Sequence, residues 1–141
     1  MTIKNSFLLL VSLFFLFSCV KESSVYSNFP VEITDTLSEY RIYFNVRLQD
    51  RFNEDSLPMV LIISSPGGEK FMDTISFPLV KDIKHNYVQE VRSGEWRDLR
   101  WLYRDRVKFP RSGKWDFTVK HLSNNENLQK IRDLQITIKV R

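Results

Sequence analysis

The sequence predicts an all-β domain: an antiparallel β-sandwich of jelly-roll or immunoglobulin-like type, with seven or eight strands and little helix. Three observations predict it. Apolar and polar residues alternate with a period of two in several segments, which puts one face of each segment inward. Turn-forming residues separate these segments at the intervals typical of sandwiches. Only residues 128–131 have a pattern that fits even one helical turn. With 141 residues, 43% of them hydrophobic and 27% charged, the chain has the size and mix of one globular domain and lacks the composition of a disordered chain or a polytopic membrane protein.

The N-terminus is read apart from that domain. Lys4 precedes an unbroken apolar run over residues 7–17, followed by Ser18 and Cys19. The run is shorter than the roughly 20 apolar residues a spanning helix needs, and its charged start and small residue before a cut are those of a secretory signal, here residues 1–18. Leu16-Phe17-Ser18-Cys19 resembles the bacterial lipoprotein signal, in which cleavage leaves the cysteine as the acylated first residue. Cys19 is the one cysteine in the chain, and it stands where a thiol is needed for acylation. A plain signal peptide with an incidental cysteine, or a short N-terminal anchor, would read the same run differently. A single acyl chain binds membranes only marginally, so the several chains of a lipoprotein, palmitate among them, are what make anchoring stable. Residues 19–30 then form the acylated N-terminus and a polar tether that gains order near Tyr26 and Phe29, and residues 31–141 form the sandwich.

Within the sandwich, Tyr40, Ile42, Phe44, Val46 and Leu48 alternate with Arg41, Tyr43, Asn45, Arg47 and Gln49, giving the first clear strand. A polar loop over 49–58 leads to the apolar run 59–63, bounded by Pro58 and Pro66 and short enough for a buried strand. Pro66-Gly67-Gly68 is a turn, and Phe71, Ile75 and Phe77 alternate after it, so residues 59–77 read as a hairpin. A weaker strand covers 85–91. Leu99, Trp101, Tyr103, Val107 and Phe109 then take odd positions, with Arg100, Arg104, Arg106 and Lys108 on even ones. Pro110-Arg111-Ser112-Gly113 is a turn into the alternating Trp115, Phe117 and Val119, and these two strands read as a second hairpin. Leu134, Ile136, Ile138 and Val140 close the domain.

The inventory argues against catalysis. With Cys19 committed to lipid, the bases of suitable pKa are His85 and His121, and neither stands in a recognisable nucleophile–base arrangement. One cysteine and two separated histidines point to no metal site, and no cofactor motif is present. Ser65-Pro66-Gly67-Gly68-Glu69-Lys70 lacks the order and context of a phosphate loop, and a hairpin turn explains it. The formal charge of +4 is weak steering, and an exported protein meets little nucleic acid.

Two sets of residues are candidates for contact with a partner. Arg100, Arg104, Arg106 and Lys108 form a basic strand face, read either as a solvated surface partly neutralised by Asp98 and Asp105 or as a contact for an acidic partner. Residues two or four apart on one strand project the same way, about 7 or 14 Å apart, so the three arginines are expected in a row. Trp96 and Tyr43 are the second set, being aromatic residues among polar neighbours or on a polar face. A sugar-binding sandwich would use such rings, whereas Trp101 and Trp115 lie on apolar faces and read as core.

The lipoprotein start, Gly94-Glu95-Trp96, the run from Trp101 to Gly113 (WLYRDRVKFPRSG), the aromatic strand from Trp115 to His121 and the Leu-Gln-x-Ile-x-Asp-Leu-x-Ile ending resemble the gliding-motility lipoprotein GldH family of Bacteroidetes. The segment between Trp96 and Trp101 is shorter than the family leads one to expect. The resemblance implies a lipid-anchored envelope protein that serves as a structural or accessory component of the gliding machinery and its associated secretion system. Its partners would be the membrane and other gliding or secretion proteins, with no catalytic residues to carry over. The alternative is a surface carbohydrate-binding lipoprotein.

Overall fold

The computed structural model describes residues 26–80 and 88–141, so the signal segment, Cys19, His85 and the start of the strand expected over 85–91 lie outside the described residues. Eight strands follow in chain order: β1 (Tyr26–Ile33), β2 (Tyr40–Gln49), β3 (Ser56–Ser64), β4 (Lys70–Pro78), β5 (Val88–Ser93), β6 (Trp96–Val107), β7 (Gly113–His121) and β8 (Ile131–Val140). One short helix, α1 (Asn125–Leu128), precedes β8. The strands form two antiparallel four-stranded sheets with orders β1-β7-β3-β4 and β5-β6-β2-β8, a β-sandwich as the alternation predicts.

The inward faces are those the alternation assigned, except that Phe71 at the start of β4 and Val140 at the end of β8 are exposed. Tyr40, Ile42, Phe44, Val46 and Leu48 of β2 are buried and meet Leu57, Met59 and Leu61 of β3, Phe77 of β4 and Phe117 and Val119 of β7. Burying a large apolar side chain stabilises by about 1.5–3 kcal/mol, so this cluster is the main favourable term holding the sheets together. An aromatic network crosses it: Phe44 lies 5.9 Å from Trp101 and 5.4 Å from Tyr103, and Phe109 lies 5.1 Å from Trp115.

Four boundaries and connections differ from the sequence expectation. β1 begins at Tyr26, within the stretch read as tether, and pairs with β7 along its whole length. β3 begins at Ser56, so Pro58 lies inside the strand, opposite Ser76 of the edge strand β4, and its carbonyl accepts from Leu122 beyond β7. The helical turn sits just ahead of residues 128–131, because Asn124 caps it by accepting from the Asn127 amide at 2.9 Å. The largest difference is at residues 108–112. β3 and β4 form the expected hairpin, but β6 and β7 do not pair: β6 lies between β5 and β2, and β7 between β1 and β3. The connection crosses from one sheet to the other, and Phe109 fills the space between them against Trp115 and Phe117. The hairpin partner of β6 is instead β5, joined through Gly94 at φ 61.

Candidate functional site

The outer face of the β5-β6-β2-β8 sheet carries the polar half of each strand's alternation. Antiparallel register fixes which side chains meet there. Gln89, Arg100, Asn45 and Gln135 stand opposite one another across the four strands, and the next outward row is Val91, Asp98, Arg47 and Asp133. These rows floor a shallow groove of about 420 Å³.

Arg47 and Asp98 form a two-pronged pair, with Nε to Oδ1 at 2.6 Å and Nη2 to Oδ2 at 2.8 Å. The Arg47 hydrogen bond holds the Asp98 carboxyl below its ordinary range, and the same contact raises the guanidinium. Arg100 makes no ion pair among the described residues. Its guanidinium lies 3.9 Å from the centre of the Tyr43 ring, and its buried Nε has no hydrogen-bonding partner there. At the other end of the groove Arg132 lies 5.0 Å from the centre of the Trp96 ring. Arg132 stands where the β2–β8 register slips, Arg47 pairing with Asp133 and Leu48 with Ile131, which leaves it as an extra residue. Both half-buried aromatics are therefore roofed by guanidiniums, a favourable arrangement of cation over ring.

The expected arginine row does not form. Beyond Leu102 the β2–β6 register shifts twice, and Arg106 adopts φ 57 in the left-handed region. Among the described residues β5 pairs with β6 as far as Trp101, so Arg104 and Arg106 lie beyond the last described β5 pair. Arg104 lies 4.4 Å from the centre of the Tyr103 ring and 3.6 Å from Asp73 of the other sheet. Asp73 also accepts from the Tyr103 hydroxyl at 2.8 Å; burial, with this bond in support, pushes that phenol up to about 12. Arg106 and Lys108 are exposed beyond this corner. Nor do Asp98 and Asp105 neutralise the row, because Asp98 is held by Arg47 and Asp105 by Arg41 at 3.3 Å and Arg141 at 3.4 Å.

The structure thus divides the candidate residues in two. Tyr43, Trp96 and Arg100 share the groove face, and Arg104, Arg106 and Lys108 lie at the far end of β6. Sequence reading missed Arg132, Gln89, Asn45 and Gln135; their polar positions in alternating strands were visible, but the register that gathers them was not. Trp115 is buried and Trp101 packs half-buried against the core, which leaves Trp96 as the tryptophan on the groove side. His121 ends β7 on the inward side, where burial holds its pKa below the ordinary value. Among the described residues no three His, Cys, Asp or Glu side chains converge to hold a metal, and no helix is long and apolar enough to cross a membrane.

Comparison with known proteins gives a family match described as GldH lipoprotein over residues 22–138, which takes in nearly all of both sheets. The chain is 22% identical over 117 residues to a protein of Christiangramia forsetii named gliding motility lipoprotein GldH homolog. That alignment covers 77% of this chain and 66% of the relative's own length. No solved structure matches.

Proposed function

The chain belongs to the GldH lipoprotein family, and on that premise we propose that it is a non-catalytic accessory component of gliding motility and the protein secretion associated with it. The single observation carrying this reading is the family match through nearly all of the described sandwich. In this reading Cys19 bears the acyl chains and fastens the domain to a membrane of the cell envelope, the outer membrane being the proposed one, while the sandwich contacts other gliding or secretion proteins. The proposed contact is the β6 corner of Arg104, Arg106 and Lys108, which is basic and exposed and lies beyond the last described β5 pair, at Trp101. Arginine there favours carboxylates on the partner, gripped by a planar fork of donors.

Two measurements test it. Cys19→Ser is expected to move the protein from the membrane to the soluble fraction and to abolish motility. Retention in the membrane would assign anchoring to the apolar run 7–17 instead. Affinity capture from detergent-solubilised membranes, with mass spectrometry of what is retained, is expected to recover envelope proteins of the motility or secretion apparatus. Replacing Arg104 and Arg106 together with Gln should weaken that recovery at low salt, and the difference from the parent should shrink as salt rises, because exposed charges are screened over roughly 8–10 Å near physiological ionic strength. Undiminished capture by the folded double variant would exclude the corner as the contact.

A further inference from the structure

We propose that the groove on the outer face of the β5-β6-β2-β8 sheet binds a carboxylate-bearing oligosaccharide, a ligand apart from the protein partners of the motility reading. The argument starts from charge. Arg47, Arg100 and Arg132 line the groove against Asp98 and Asp133. Arg47 is already satisfied by Asp98, and Asp133 accepts from Gln135 at 3.1 Å. Arg100 and Arg132 have no carboxylate partner among the described residues, and each is held over an aromatic ring instead. A guanidinium over a ring spends none of its N–H donors on a carboxylate, so both remain held, charged donors for an incoming planar carboxylate.

Between Arg100 and Arg132 lies the row of Asp98, Arg47 and Asp133, whose carboxylates are already bonded to Arg47 and Gln135, and the amides stand in the row of Arg100. Gln89, Asn45 and Gln135 flank Arg100 across the sheet; one N–H of Asn45 goes to Thr137 at 2.9 Å and one of Gln135 to Asp133 at 3.1 Å, which leaves each amide at least one donor and its acceptor. Sugar hydroxyls also donate and accept, so an amide floor suits them at every rotation. An acidic peptide fits less well. β2 and β6 are both central strands here, with their backbone groups spent on neighbouring strands, and a peptide docking by strand addition needs a free edge. Trp96, beside the groove and capped by Arg132, is four residues from Arg100 on β6, which places the two guanidinium-capped aromatic positions about 13 Å apart along the strand. That span calls for an oligosaccharide and exceeds a single sugar. A bare-ring platform for neutral sugar is disfavoured, because Arg100 and Arg132 occupy the faces of Tyr43 and Trp96.

Calorimetric titration of the full chain in detergent micelles provides the test, with oligogalacturonate, a neutral galactose oligomer of equal length, and polyglutamate of equal charge as probes. Oligogalacturonate should bind, and the neutral oligomer and polyglutamate should each bind at least about tenfold more weakly. Arg100→Gln and Arg132→Gln should each weaken oligogalacturonate binding about tenfold or more, the effect of losing a charge-assisted hydrogen bond, while leaving thermal unfolding unchanged. Asp50→Asn, outside the groove lining, should bind as the parent does. Failure to bind oligogalacturonate at millimolar concentration overturns the proposal, as does unchanged binding by both arginine variants. Equal binding of the neutral oligomer would replace it with ring stacking, and equal binding of polyglutamate with an acidic protein ligand. Partner capture and motility are separate readouts, so loss of the proposed accessory role leaves this result standing or falling on its own.

Discussion

Arg97 occupies a position on β6 that alternation gives to a hydrophobic side chain, and it is 8% exposed. Its Nε donates to Glu90 at 2.7 Å and its Nη2 to the Leu79 carbonyl at 2.7 Å, so one guanidinium ties β5 to the chain leaving β4 in the other sheet. Removing Arg97 takes the donor from the Leu79 carbonyl and leaves Glu90 with only the more exposed Arg92 at 3.2 Å. Arg97→Ala is therefore expected to destabilise the fold by about 3 kcal/mol in a denaturant titration. The Arg97 hydrogen bond holds Glu90 below its ordinary carboxyl range, so the unfolded chain takes up this proton first as pH falls. The contribution of Glu90 is full above pH 4.5 and is lost on further acidification, and Glu90→Gln should remove that part of the acid dependence. His121 acts at higher pH. Its imidazole is buried with an unpartnered Nδ1 and kept neutral, so stability should begin to fall as pH drops below 6.5, where the unfolded chain binds the proton and the folded one does not. His121→Phe should flatten that part of the stability–pH curve, and an unchanged curve would show that the imidazole protonates freely in the fold.

At the scale of elements, the end of β6 decides where the chain goes next. Arg106 sits at φ 57, with its amide bonded to the Asp105 carboxylate at 2.9 Å, and two register shifts separate Phe44 from Tyr40 on the neighbouring strand. Bulges of this kind bend and twist a strand, and here the chain leaves its sheet and enters the other one as β7. A side chain in the left-handed region costs roughly 1–2 kcal/mol that glycine does not incur. Arg106→Gly is accordingly expected to raise the unfolding midpoint, by about 1 kcal/mol after allowing for the added freedom of glycine in the unfolded chain. A loss of stability of that size would mean that the Arg106 side chain contributes more than its backbone costs. Gly113 opens β7 at φ 125, and a Cβ there would approach Pro66 to 3.1 Å, so Gly113→Ala should destabilise through both backbone and contact.

At the scale of the whole molecule, two sheets close on one apolar layer, and the chain changes sheet at every connection except β3–β4 and β5–β6. Trp115 anchors that layer, packed on Phe109 with its indole N–H donating to the Arg111 carbonyl at 3.0 Å. Trp115→Ala should cost about 3–5 kcal/mol, whereas Lys108→Ala should stay within about 0.5 kcal/mol. Equal midpoints for the two variants would refute the burial pattern described here. By itself the sequence determined the sandwich class, the inward residues of β2, β6 and β7, those of β8 as far as Ile138, and the β3–β4 hairpin. These follow from period-two alternation and local turn chemistry, both of which are properties of consecutive residues. The family resemblance was also legible, in the order of motifs from Trp96 onward. Tertiary structure alone decided that β6 pairs with β5 and not with β7, because a short turn can close a hairpin or carry the chain across the sandwich, and burial of Phe109 between the sheets selects the crossing. It also separated Arg104 and Arg106 from Arg100, and brought Arg100 together with Arg132, Gln89 and Gln135. Residues far apart in sequence meet only through strand register, and register is set by how the inward side chains pack across the whole core.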